Sequence, residues 1–147
     1  MAADIIISAP KLVAAVEAIV ARGGSNAREA KLVAENLVEA NLKGHDSHGV
    51  GMIPRYVESL KEGGLQVNQA PKFELDTGPL VRLNGQAGYG QVIGHDAMHI
   101  AIERAQKHGL AAVGLHNAHH IGRIGAWAEM AVGACLVALA GTWFVRR

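Results

Sequence analysis

The feature that most constrains this chain is a change of hydrophobic period near its middle. Up to Gly63-Gly64, apolar residues recur at helical spacing. Beyond that point, runs such as Leu80 to Leu83 and Leu110 to Leu115 are too short for helices and read as strands. A helical stretch from about Gln91 to Lys107 lies between them. Helices alternating with apolar strands argue for a layered α/β fold, with the N-terminal helices packed beside a mixed sheet.

In the first half, Ser8 can cap a helix whose first turn tolerates Pro10. Leu12, Val13, Val16, Ile19 and Val20 form its stripe until Gly23-Gly24 stops it. Asn26 and Glu29 have the spacing of a capping pair. Ala30, Val33, Leu37 and Ala40, with Ala34 and Val38, form a second stripe ending at Gly44. A third helix carries Met52, Ile53, Val57 and Leu60, with Pro54 in its first turn. Asp76-Thr77-Gly78-Pro79 is a strong turn signal between Lys72 to Leu75 and Leu80 to Leu83, which predicts a hairpin. Leu110 to Leu115 is expected as a buried strand, Ala126 to Val132 as a helix and Leu136 to Ala140 as a further strand.

With 147 residues, one ordinary domain buries about 68–70% of its unfolded surface, so no covalent staple is needed. The 14 basic and 13 acidic side chains carry no electrostatic footprint for nucleic acid. Cys135 is the only cysteine, expected as a small buried side chain, and no internal disulfide can form. The opening Met-Ala-Ala-Asp lacks the order of a secretory signal, and Val132 to Val145 falls short of the roughly 20 residues of a membrane span. The expected location is cytoplasmic, with no membrane partner.

Two polar loops stand out. Gly44-His45-Asp46-Ser47-His48-Gly49 sets two imidazoles, a carboxylate and a hydroxyl between two helices, a composition no packing argument requires. It is either a helix cap with a solvated turn or a site in which His48 exchanges a proton near neutral pH. His116-Asn-Ala-His-His-Ile-Gly-Arg-Ile-Gly125 follows a strand, and in α/β sheets ligands bind outside the carboxyl ends of strands. The two loops are expected to serve one site.

Two other patterns are weaker. Gly85, Gly88 and Gly90 reverse the order of a dinucleotide fingerprint, and the following strand ends in His116 instead of an acid, so a plain turn is expected there. His95 and His99 share a helix flank with Glu103 and Gln106 and have the spacing of a helical zinc pair. They raise the alternative of a metal-dependent hydrolase, but no third ligand appears at a fixed spacing and no metal site is assigned.

Together, the run from Gly44 to Tyr56 and the run from His119 to Glu129 resemble the malate/L-lactate dehydrogenase family, whose cofactor fold is not of Rossmann type. Among its groups the chain is most similar to the broad 2-hydroxycarboxylate dehydrogenases. The resemblance covers residues from about Ala9 to Leu136. It implies an incomplete, non-Rossmann α/β fold: one partial domain over residues 1–147, with a helical part over about residues 9–62 and an α/β part over about residues 72–140. Family members are more than twice this length, so the chain is expected to be an N-terminal fragment, inactive alone, and Thr142 to Arg147 does not match the family.

The resemblance implies NAD(P)H-dependent interconversion of 2-oxo and 2-hydroxy acids, with NAD or NADP as cofactor and a homodimer as the full-length form. Hydride arriving at a carbonyl carbon leaves charge on oxygen, which an acid with a pKa near 7 must protonate. His48, with Ser47 as its hydrogen-bonding partner, and His120 are the candidates and are not ranked. His120 and Arg123 are implied on the cofactor side. Arg55 is the basic side chain nearest the loop for the substrate carboxylate, although some relatives place their arginine where Met52 stands. A non-catalytic fragment is the remaining alternative.

Overall fold

The structure, a computed structural model, describes residues 6–141, which form two compact units dividing between Asn68 and Gln69.

In the first unit, α1 (Ala9–Arg22) and α2 (Ala27–Leu42) pack along their apolar stripes. Pro10 sits in the first turn of α1, where an amide proton would have no partner in any case. Ser8 holds the N-cap position but gives no side-chain bond; only its carbonyl accepts from Leu12 N, at 3.0 Å. Val16 and Val20 are buried, whereas Ile19, expected in the stripe, remains 44% exposed because the contact face is narrower than the apolar one. In α2 the expected stripe is buried throughout, with Val33, Ala34, Leu37 and Ala40 fully sequestered. Burial of that completeness implies a cost of about 2–5 kcal/mol for Leu37→Ala.

The turn between these helices is tied down by Asn68. Asn26 Oδ1 accepts from Glu29 N at 2.9 Å as a cap should, but Glu29 does not complete the box. Its carboxylate, 2% exposed, instead accepts from Ser25 Oγ (2.6 Å) and Asn68 N (2.9 and 3.1 Å). Asn68 Oδ1 takes the Asn26 amide at 2.8 Å, and Asn68 Nδ2 donates to Gly24 O at 2.9 Å. Asn68 has φ +59°, a left-handed conformation that asparagine tolerates better than most residues. After two 3-10 turns, Asp46–His48 and Val50–Met52, the helix α3 (Ile53–Lys61) buries Tyr56.

In the second unit, β1 (Lys72–Asp76) and β2 (Leu80–Asn84) form the expected hairpin, antiparallel, with a bulge between Phe73 and Leu75. The connecting turn is held by Gly78 N on Asp76 Oδ1 (3.0 Å) and Thr77 N on Leu80 O (3.0 Å). The helix α4 (Gly90–His108) leads to β3 (Ala112–His116), which pairs parallel to β2, so the sheet is mixed with order β1-β2-β3. Val81, Leu83 and Ala97 form its core, with Ile100, Val113 and Leu115 packed against them. The helix α5 (Ile124–Gly133) is longer at both ends than its pattern suggests.

Three expectations for this unit are corrected. β3 starts two residues late and alternates between exposed and half-buried, because it is the last strand of the sheet; Leu110 is 62% exposed. Leu136 to Ala140 forms no strand: an apolar run becomes one only where a neighbour accepts its backbone bonds, and Val137 and Leu139 stand fully exposed. Cys135 is exposed, at φ +58°, just past the end of α5. The expected mismatch from Thr142 to Arg147 lies outside the described residues. Among the described residues no helix is long and apolar enough to cross a membrane.

Asn68→Ala removes two side-chain hydrogen bonds and puts a Cβ-restricted residue at positive φ, an expected loss of about 1–3 kcal/mol. Denaturant unfolding checks the value, and Asn68→Gly should recover part of it by relieving the φ penalty.

Candidate active site

The loop carrying His48 is built from the end of α2. Gly44, at φ +75°, donates its amide to Asn41 O (2.9 Å), and His45 N reaches back to Ala40 O (2.8 Å). This paired closure satisfies the last helix carbonyls and turns the chain sharply. The side chain of Asn41 then does what no backbone group in the loop can. Its Nδ2 donates to Asp46 Oδ1 and its Oδ1 accepts from Val50 N at 2.8 Å, so one carboxamide spans the segment that contains Ser47 and His48. The carboxamide lies where a Cβ on residue 49 would be, which is why Gly49 is needed. The sequence shows Gly49 as a turn residue; its use is close approach. Asn41 itself was not expected, and the available signal was a poor helix former in the last turn of α2.

Within that frame Ser47 Oγ lies 2.9 Å from His48 Nδ1. A hydroxyl can donate to a neutral imidazole at Nδ1 or accept from an imidazolium there, so Ser47 orients the ring in either protonation state. His48 is half-buried and Ser47 exposed. Arg55 is exposed on the first turns of α3, and the adjacent Tyr56 is core.

The second loop lies in the other unit. It runs from β3 to α5 and is held by the turn that precedes α4: Gly85 N donates to His116 O (2.8 Å), Ala87 N to Asn117 O (2.7 Å) and His119 N to Gly88 O (3.0 Å). A Cβ on Gly90 would strike the carbonyls of His119 and His120, and one on Gly85 would meet Ala118 at 2.9 Å. Two of the three glycines expected to make a plain turn, Gly85 and Gly90, thus let the histidine loop lie directly on the start of α4. Trp127 completes the fixation, donating Nε1 to Ile121 O at 3.1 Å, with its ring 3.0 Å from where a Cβ on Gly94 would stand. His119 and His120 are half-buried. Arg123 is 8% exposed, its Nη2 donating to Glu129 Oε2 at 2.8 Å and its guanidinium occupying the space a Cβ on Gly125 would take.

At the start of the loop, His116 Nε2 donates to Glu74 Oε2 at 2.9 Å. The strand bulge falls at Glu74, and it re-aims this side chain so that Arg82 Nε (3.1 Å) and Asn84 Nδ2 (3.2 Å) also reach it. The bond from His116, and next that from Asn84, hold the Glu74 carboxyl below its ordinary 4.5, with the nearby charges of His116 and Arg82 adding to the effect. Because the folded value is lowered, the contribution to stability is present above pH 4.5 and is lost as pH falls through the folded value. His95 and His99 lie together on α4, but among the described residues no group of three His, Cys, Asp or Glu side chains is placed to hold a metal ion.

Gly49→Ala should destabilise the chain by about 1–3 kcal/mol through overpacking against Asn41. In an Asn41→Ala background the same change should cost clearly less, a coupling that a double-mutant cycle measures directly. Acid unfolding followed by circular dichroism should decline more steeply below pH 4.5 in the wild type than in Glu74→Gln.

The chain matches the family model for malate/L-lactate dehydrogenase over residues 7–144. It is 52% identical over 124 residues to hydroxycarboxylate dehydrogenase B of Escherichia coli K12, covering 84% of this chain and 34% of that protein. A solved structure from Escherichia coli, described provisionally as a malate/lactate dehydrogenase, superposes with TM-score 0.87 at 49% identity, covering 89% of this chain and 37% of its own. The sulfolactate dehydrogenase of Methanocaldococcus jannaschii superposes with TM-score 0.85 at 31% identity, over 88% of this chain and 38% of its own. The chain thus spans about a third of the length of the curated relatives it matches. A family match that runs through both histidine loops and nearly the whole chain leaves one assignment: it belongs to the malate/L-lactate dehydrogenase family.

Proposed function

We propose that the whole protein interconverts 2-oxo acids and 2-hydroxy acids with a nicotinamide cofactor, and that this chain contributes the proton donor. The observation that carries the proposal is the His48 arrangement: a half-buried imidazole, its Nδ1 against a hydroxyl, in a loop held by the Asn41 carboxamide. A general acid must be held in a fixed orientation, and the contact with Ser47 and the Asn41 brace supply that for the His48 imidazole.

Bound nicotinamide supplies the hydride. Its fit to the second loop can be judged by donor chemistry. A diphosphate asks for several cations or amide donors, whereas the one cation of this loop, Arg123, already donates to Glu129. The loop therefore suits the nicotinamide end, which carries no phosphate. His120 is assigned there, and Arg123 serves by holding the loop's shape.

In the reduction direction His48 delivers its proton to the alkoxide oxygen as negative charge develops, and recovers it in the reverse direction. Arg55, exposed on α3, is assigned to the substrate carboxylate, for which a planar guanidinium is the matching bidentate partner. The full-length form is read as a cytoplasmic homodimer using NAD or NADP. A single cysteine within this chain suits a reducing compartment.

The test uses a full-length family member carrying these motifs, with cofactor oxidation followed on several 2-oxo acids. His48→Ala should lower turnover by about 10²–10⁴ with a smaller effect on KM, while Arg55→Ala should act mainly on KM. Near wild-type turnover in His48→Ala would remove it from the acid role.

A further inference from the structure

We propose that His95 and His99 form a two-imidazole binding site for a borderline divalent transition-metal ion (zinc, nickel or copper) on the flank of α4. The pair takes no part in the dehydrogenase reading above. It lies on a helix face with Glu103 and Gln106, away from the apolar residues that pack α4 on the sheet.

The geometry is that of a chelate. Residues four apart on a helix project side by side, and here the two Nε2 atoms stand 3.3 Å apart, with ring centroids 4.5 Å apart and planes inclined by 59°. An ion bound at about 2.0–2.1 Å from each nitrogen sees two atoms separated by 3.3 Å at an angle of about 107°, close to the tetrahedral value. Imidazole nitrogen is a preferred donor for zinc, nickel and copper. The separation of the two nitrogens already matches that of a chelating pair.

A second observation points the same way. His95 Nδ1 lies 3.2 Å from Asp96 Oδ1. A carboxylate accepting from Nδ1–H fixes the proton on that nitrogen and turns the Nε2 lone pair outward, the support that metal-bound histidines ordinarily have. His99 Nε2, 3.3 Å away, can then donate to His95 Nε2. On binding, His99 carries its proton on Nδ1 instead, and the ion replaces the hydrogen bond between the rings. His99 is exposed and His95 half-buried, so the remaining coordination positions open to water. Two protein ligands make an ion-binding site, whereas a catalytic zinc centre takes three.

Titration of Ni²⁺ into the purified chain by calorimetry at pH 7.5 tests this. One equivalent is expected to bind at least tenfold more tightly to the wild type than to His95→Ala or His99→Ala, with His99→Gln as a second variant should either alanine chain fail to fold. Asp96→Asn should weaken binding by about tenfold, the lower end of what loss of such a support costs. Acidification should weaken binding, because the ligands must be unprotonated. Circular dichroism establishes that each variant is folded. If a folded His95 or His99 variant keeps wild-type affinity, the ion rests on other histidines of the chain, and the proposal is overturned; so it is if the wild type binds no Ni²⁺.

Discussion

Both histidine loops are held by contacts that a single Cβ would block. Gly49 admits the Asn41 carboxamide into the first loop, and Gly90 admits the His119 and His120 carbonyls onto the start of α4. Close approach lets a rigid helix, through side-chain and backbone hydrogen bonds, position a segment without regular structure of its own. Loops ordinarily owe their mobility to solvated backbone groups. Here Val50 N, Asp46, Gly85 N, Ala87 N and His119 N all find partners within the protein. A general acid gains from that fixation, because proton transfer depends on holding the donor in register with the developing charge.

The two units use different means to the same end. In the first, asparagine side chains do the work: Asn26 and Asn68 satisfy backbone groups at the start of α2, and Asn41 at its end reaches into the loop to Val50 N and Asp46. In the second, backbone pairs with backbone across the glycine turn, and side chains finish the work, Trp127 on Ile121 O and Arg123 on Glu129. The same contrast bears on substitution. Removing an asparagine leaves donors that water can reach, while adding a Cβ at Gly85 or Gly90 forces backbone to move.

β3 and the residues after α5 show what an apolar sequence cannot secure unaided. β3 has β2 on one side and α4 over one face, and among the described strands none lies beyond it. Its alternating exposure follows from that position. Leu136 to Ala140 has strand composition but lacks a strand, since the ladder and not the residue type supplies the bonds.

The sequence alone determined the local elements: the stripes of α1 and α2, the hairpin at Asp76 to Pro79, the helix between β2 and β3, and the two polar loops that carry the family resemblance. These are set by periodicity and turn chemistry within a few residues, which is where sequence patterns act. Tertiary structure decided the rest: that Asn41 spans the His48 loop, that Glu29 turns from its cap to Asn68, that Arg123 is committed to Glu129, and that Gly85 and Gly90 lie under the second histidine loop. Each of those depends on which groups meet in space, and no spacing along the chain encodes a meeting between a side chain and a distant backbone atom.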